Sequence, residues 1–158
     1  MNASKTSQRK FDCLQQEAYL SLWRTYDCLK SIEDELFSRW SITAQQYNVL
    51  RLLEAASPEA MPTLAISNRL ISRAPDITRM LDKLESRELV ERLRSTEDRR
   101  AVLVKLTAKG KRLLREAADP LKNTHLRQLG HLSSAELRQL CELLRKARHV
   151  HEPEQSDW

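Results

Sequence analysis

Apolar side chains recur at spacings of three and four near the start of the chain: Phe11, Leu14, Ala18, Leu22, Leu29, Ile32 and Leu36, with Thr25 in register. Wound at 3.6 residues per turn they form one stripe, which predicts a long amphipathic helix over about 10–38. A second set, Tyr19, Trp23 and Tyr26, lies beside that stripe. One short domain has too little surface to cover both faces, so the pattern predicts a second subunit.

Thr43-Ala44-Gln45-Gln46 reads as a capping box, in which the Thr43 oxygen and the Gln46 side chain satisfy each other's first-turn amides. The helix it opens runs to about Ala56, with Tyr47, Leu50, Leu53 and Val49 facing inward. Ser57-Pro58 ends it, because proline disfavours helical geometry in the residue before it. Met61-Pro62 reads as a short extended bridge, and Thr63 as the cap of a brief helix over 64–70. A fourth helix is expected over 74–87, opened by Ser72 or Arg73 with Pro75 in its first turn, where the missing N–H is harmless. Ile77, Met80, Leu81 and Leu84 follow i, i+3, i+4, i+7 and form its buried face. Asp76, Thr78, Arg79, Asp82, Lys83 and Arg87 are left towards solvent or the margins.

The pattern then changes period. Runs 89–94 and 101–106 are short, branched and partly alternating, as strands are. Between them 95–100 holds no apolar side chain, so the segment reads as a hairpin with Asp98, Arg99 and Arg100 at its tip. Arginine there suits a narrow minor groove, where a weakly hydrated planar cation loses little on entry. A plain solvated hairpin fits the same composition equally well. Two short helices joined by a tight connection and followed by a hairpin favour a winged helix-turn-helix, whose second helix enters the major groove with its N-terminal half leading. Arg79 then offers a fork to guanine, Arg73 and Thr78 reach phosphate, and Lys83 is a point charge for the backbone.

A fifth helix is expected from a Thr107 cap to about Leu129, kinked or broken at Pro120. Ser133-Ser134-Ala135-Glu136 is a second capping box, opening a last helix with Leu137, Leu140, Cys141 and Leu144 inward. The segment 151–158 reads as a mobile tail. The fold class is thus mainly α with a small β-hairpin wing. The predicted organisation is an N-terminal dimerisation helix (10–40), a winged helix-turn-helix (41–106) and C-terminal dimerisation helices (107–150).

Composition sharpens this picture. Two glycines and few aromatics argue against a sandwich or barrel. The formal charge of +5 suits a polyanionic partner, yet 41–106 carries 11 Lys and Arg against 9 Asp and Glu, while 107–151 carries 10 against 4. Bulk basicity therefore does not locate a nucleic-acid site, and individual projecting arginines must. No apolar run spans a bilayer and the start 1–5 is polar, which predicts a cytoplasmic protein with no membrane partner. Cys13, Cys28 and Cys141 are spaced for neither a disulfide framework nor zinc. Cys28 and Cys141 read as small core residues. His125 and His131 lack the i, i+4 spacing of metal ligands, so no metal or other cofactor is expected. No catalytic motif is present, which argues against an enzyme.

Asp98-Arg99-Arg100, Val102-Leu103-Val104-Lys105-Leu106-Thr107 and Gly110 together resemble the D-x-R wing tip and L-T-x-x-G of the MarR family of winged-helix regulators. Ile42-Thr43, Gln46-Tyr47, Ile77-Thr78-Arg79, Leu81-Asp82-Lys83-Leu84-Glu85 and Leu89-Val90-Glu91-Arg92 follow in register, over about 20–145. The resemblance implies a homodimer on a pseudo-palindromic DNA operator, read by recognition helix 74–87 and wing 94–101. Arg100 would enter the minor groove and Asp98 would orient it or a neighbouring arginine. It also implies a repressor released by a small aromatic or anionic effector, for which Trp23, Tyr26, Trp40, Tyr47 and Arg51 are the candidate lining. Some relatives sense peroxides through a cysteine early in the first helix, which makes Cys13 the candidate here, although it precedes the matching position by about six residues. A winged-helix module that binds another protein is the rival from a different class. The family's glycine before Leu89 is Glu88 here, so the turn between helix and wing either carries strain of about 1 kcal/mol or changes type.

Overall fold

Tyr47, Val49, Leu50 and Leu53 recur so that one side of their helix is wholly apolar, and the rest of the core is laid against that side. A computed structural model describes residues 10–71, 76–95 and 101–152. Its elements are α1 (Leu14–Ser38), α2 (Ala44–Ala56), β1 (Met61–Pro62), α3 (Thr63–Arg69), α4 (Ile77–Ser86), β2 (Val90–Arg94), β3 (Val102–Leu106), α5 (Ala108–Leu129) and α6 (Ser134–His149). The strands form an antiparallel sheet in the order β1-β3-β2. Phe37 from α1 stacks on Tyr47 at 4.8 Å, and Leu50, Leu53, Ile66, Leu81, Leu84 and Val104 are buried against one another. Each such side chain contributes about 1.5–3 kcal/mol by leaving water.

Both capping boxes form. Gln46 N donates to Thr43 Oγ1 at 3.2 Å and Thr43 N to Gln46 Oε1 at 3.0 Å, while Ser133 and Glu136 exchange bonds in the same way before α6. The Ser133 amide and hydroxyl hold the Glu136 carboxyl below the usual carboxylate range. That contribution is present above the unfolded carboxylate pKa and is lost as pH falls through the lower folded value.

Three expectations are corrected. The first helix begins at Leu14, not at 10, and Cys13 stands at its N-cap without a side-chain bond. Thr63 does not cap α3: its hydroxyl donates across to the Val102 carbonyl at 3.1 Å, tying β1 to β3, and Pro62 takes the cap position. The fourth helix starts at Ile77, because the Asp76 carboxylate captures the Arg79 amide at 2.8 Å. An Asp cap so close to the apolar face ends the competition for earlier starts. Of the kink or break expected at Pro120, the break does not occur: α5 continues through it as one helix and forgoes one backbone bond.

The Glu88 departure resolves into strain. Glu88 adopts φ 61, the left-handed geometry that the family glycine supplies, and the amides of Glu88 and Leu89 return to Glu85 O and Leu84 O at 2.7 and 3.0 Å. Thr107 Oγ1 donates to the Glu88 and Leu89 carbonyls at 2.7 and 3.0 Å, and Lys109 Nζ meets the Glu88 carboxylate at 2.8 Å, so the start of α5 holds the turn. Glu88→Gly is expected to raise stability by about 0.5–1 kcal/mol, because the left-handed penalty exceeds glycine's entropic cost and the exposed ion pair lost is weak. Urea unfolding at fixed protomer concentration checks this.

The apolar stripe of α1 is buried only near its end, at Leu36 and Phe37. Leu14, Tyr19, Leu22, Trp23 and Tyr26 remain exposed, and α6 buries no residue at all. Cys28 and Cys141, expected in the core, are exposed on these two helices for the same reason.

Candidate nucleic-acid interface

α4 is held as a rigid rod by its inner face. Leu81 and Leu84 are buried and Ile77 and Met80 pack against the core, while Thr78, Arg79, Asp82 and Lys83 stand on the exposed side. Thr78 and Arg79 fall in the first turn, at the end set by the Asp76 cap. Asp76 is thus brought beside Arg79, but its carboxylate is engaged with the helix backbone.

The hairpin is fastened to this helix by Arg92, which the sequence reading did not single out. Val90 and Arg92 share the inward face of β2, which is the signal that identifies it. Its Nη2 lies 2.6 Å from Asp82 Oδ1 and donates to the Thr78 carbonyl at 3.0 Å, and its backbone amide donates to Glu85 Oε1 at 3.1 Å. Its Nε is 3.7 Å from Glu85 Oε2, an ion pair without a hydrogen bond. Helix and strand therefore move as one body. β2 and β3 pair from Val90↔Leu106 to Arg94↔Val102, and Ser95 N donates to Ala101 O at 3.1 Å where the strands end. Arg94 is exposed at that end, a further cation missed from the sequence.

These contacts change the meaning of the near-balanced charge. Asp82 and Glu85 are paired with Arg92, Glu88 with Lys109, and Glu54 with Arg51 at 2.6 Å. These four acidic residues are paired within the fold, whereas Glu59 and Glu91 are exposed and Arg79 and Lys83 face outward. Arg73, Asp98, Arg99 and Arg100 lie outside the described residues, as does most of the expected tail.

A family model for the MarR family matches residues 42–102. A crystal structure of a MarR transcription factor from Planctomyces limnophilus is 52% identical, with a TM-score of 0.69, over 86% of this chain and 98% of that one. The chain belongs to the MarR family. A cysteine-to-serine variant of MarR from E. coli, solved in complex with operator DNA, is 28% identical with a TM-score of 0.76, over 86% and 99% of the two chains. BpsR of Bordetella bronchiseptica, solved to explain regulation of its DNA binding by 6-hydroxynicotinic acid, is 25% identical with a TM-score of 0.73, over 83% and 98%. This MarR-family chain thus has the family's mainly helical fold with a small winged sheet, and among its described residues no helix is long and apolar enough to cross a membrane.

The expected effector lining is divided by the fold. Tyr47 and Arg51 line a cavity of about 540 Å³ between α2 and α5 that reaches Leu137 on α6; Lys122, His125 and Leu126 complete much of its wall. Trp23 and Tyr26 lie exposed on α1, and Trp40 packs against the core, so none of the three lines the cavity. Helical spacing placed them on a face without saying which element covers it. Burial pushes the Tyr47 phenol up, so it stays a hydroxyl at neutral pH. Gln128 Nε2 donates to the Leu29 carbonyl at 2.8 Å, which turns its oxygen towards His125 Nδ1 at 3.0 Å and makes that nitrogen the proton carrier. Cys13 is exposed, with Asp12 before it and Glu17 in the first turn of α1.

Proposed function

We propose that this chain is a dimeric, sequence-specific DNA-binding transcriptional regulator, a repressor acting on a pseudo-palindromic operator. The observation that carries the reading is the one-body unit of α4 and hairpin, locked by Arg92, with Arg79 and Lys83 outward at a helix whose N-terminal end is exposed. Arg79 reads a guanine edge, Thr78 and Lys83 meet the phosphate backbone, and Asp76 positions the helix end from which Arg79 projects. Arg73 adds a phosphate contact, and Arg99 and Arg100, with Asp98 beside them, enter the adjacent minor groove. The unit 41–106 does this work. Helices within 10–40 and 107–150 pair with a second copy, whose matching faces cover the exposed side chains of α1 and α6. Selection of duplexes from a random pool tests this: enrichment of a two-fold-related site supports it, and no enrichment leaves the winged-helix protein-binding module as the better reading.

The repressor is released by a small aromatic anion in the cavity of α2 and α5. Its wall combines apolar side chains with Arg51, Lys122 and a phenol that donates, the chemistry of an aromatic acid site. That BpsR is regulated by a small aromatic acid supports the choice of ligand class. Hydroxybenzoates are expected to raise the midpoint of operator binding, and Lys122→Gln to weaken that effect about tenfold, the scale of one charge-assisted bond. Titration of labelled operator with and without the acid measures it. Oxidation of Cys13, exposed at the N-cap of α1, is the alternative signal within this reading.

A further inference from the structure

Arg87 is the C-cap of α4, at the opposite end from Arg79. Its guanidinium donates twice, from Nη1 to the Ser41 carbonyl at 2.7 Å and from Nη2 to the Trp40 carbonyl at 2.6 Å. Those carbonyls close the end of α1, where Ser41 takes φ 52 and the Ile42 amide returns to Phe37 O at 3.3 Å. A helix end leaves carbonyls without partners and a partial negative charge, and a planar fork meets two of them as a point charge cannot. Immediately after Arg87, the Glu88 and Leu89 carbonyls receive the Thr107 hydroxyl that opens α5. Three successive residues thus join the end of α4 to the end of α1 on one side and to the start of α5 on the other.

We infer that Arg87 is a positioning residue that sets the angle of α4 against α1 and α5, and through the dimer the separation of the two recognition helices. This rests on the DNA-binding reading above. A helix of ten residues is about 15 Å long, so a tilt of roughly 10° about its C-terminal end moves Arg79 by about 2–3 Å, close to the rise of one base pair. The clamp therefore controls which half-site spacing the dimer accepts, without touching DNA.

The experiment uses the full chain and synthetic duplexes built from the site that the wild type selects, with the half-sites at the selected spacing or one base pair closer or further apart. A random duplex at the same salt serves as reference. Arg87→Met is expected to keep the dimer in sedimentation, the helical content and the affinity for the random duplex, while its discrimination between spacings falls about tenfold, the scale of one of the two charge-assisted bonds lost. Arg87→Lys, which keeps the charge and one bond, is expected to fall less, and it carries the test if Arg87→Met does not fold. Unchanged discrimination would overturn the inference, and so would an equal loss on every duplex, which marks a direct contact. A wild type that selects no site overturns the DNA-binding reading itself, a separate result.

Discussion

Gly110→Ala is expected to destabilise the fold by about 2–3 kcal/mol, although alanine is the better helix former by about 1 kcal/mol. A Cβ at Gly110 would stand 2.3 Å from the Leu89 carbonyl oxygen and 2.6 Å from Leu106 Cδ1. The first neighbour is backbone, so it yields only if the start of β2 moves. That start is where Thr107 binds the Glu88 and Leu89 carbonyls and where Thr107 accepts the Gly110 amide at 3.0 Å. The glycine of L-T-x-x-G is therefore a place of close approach between α5 and the root of the hairpin, not a point of flexibility. Urea unfolding at constant protomer concentration gives the stability change, and a variant as stable as the wild type would show that the hairpin root is not clamped by α5. Operator affinity is expected to fall with it, because the same shift displaces the hairpin and α4 together against α5.

Arg79→Ala is expected to weaken operator binding by about 1–3 kcal/mol per half-site and to relax base preference at one position of each half, with symmetry doubling the loss in the dimer. The substitution leaves the fold intact, since the structural bond at this position is made by the Arg79 amide to Asp76, which alanine keeps. Lys83→Ala differs in kind: it is expected to lower affinity evenly on all sequences. Binding measured on the selected duplex and on its single-base variants separates the two, and an Arg79→Ala protein with unchanged sequence preference would remove Arg79 from base readout.

Much of this was legible in the chain, for reasons local to it. Capping boxes at Thr43 and Ser133 involve residues three apart, so spacing alone predicts them, and both form. The period change from α4 to the hairpin and the i, i+3, i+4 face of Ile77, Met80, Leu81 and Leu84 are equally local. What was not legible depends on partners distant in sequence. Thr63 looked like a cap and is a cross-strand tie to Val102; Arg92 looked like a strand polar residue and is the bolt between wing and helix. Trp23 and Tyr26 looked like effector lining because helical spacing gives a face and not its neighbour. Glu88 could be strained or differently turned, and only its fitted contacts with Thr107 and Lys109 choose strain.

The charge count shows the same limit. A near-balanced 41–106 gives no direction to a field, but folding pairs Asp82, Glu85 and Glu88 internally and leaves Arg79 and Lys83 facing outward. Affinity for DNA is then local and electrostatic, and its salt dependence follows from the number of phosphates neutralised. The most direct measurement is the affinity of the full chain for its pool-selected duplex as a function of salt. A linear fall of log affinity with log salt is expected, steep enough to lose on the order of 10³ between 50 and 200 mM, as for a dimer that neutralises about six phosphates. Binding that is flat in salt, or equal on selected and random duplexes, would contradict it.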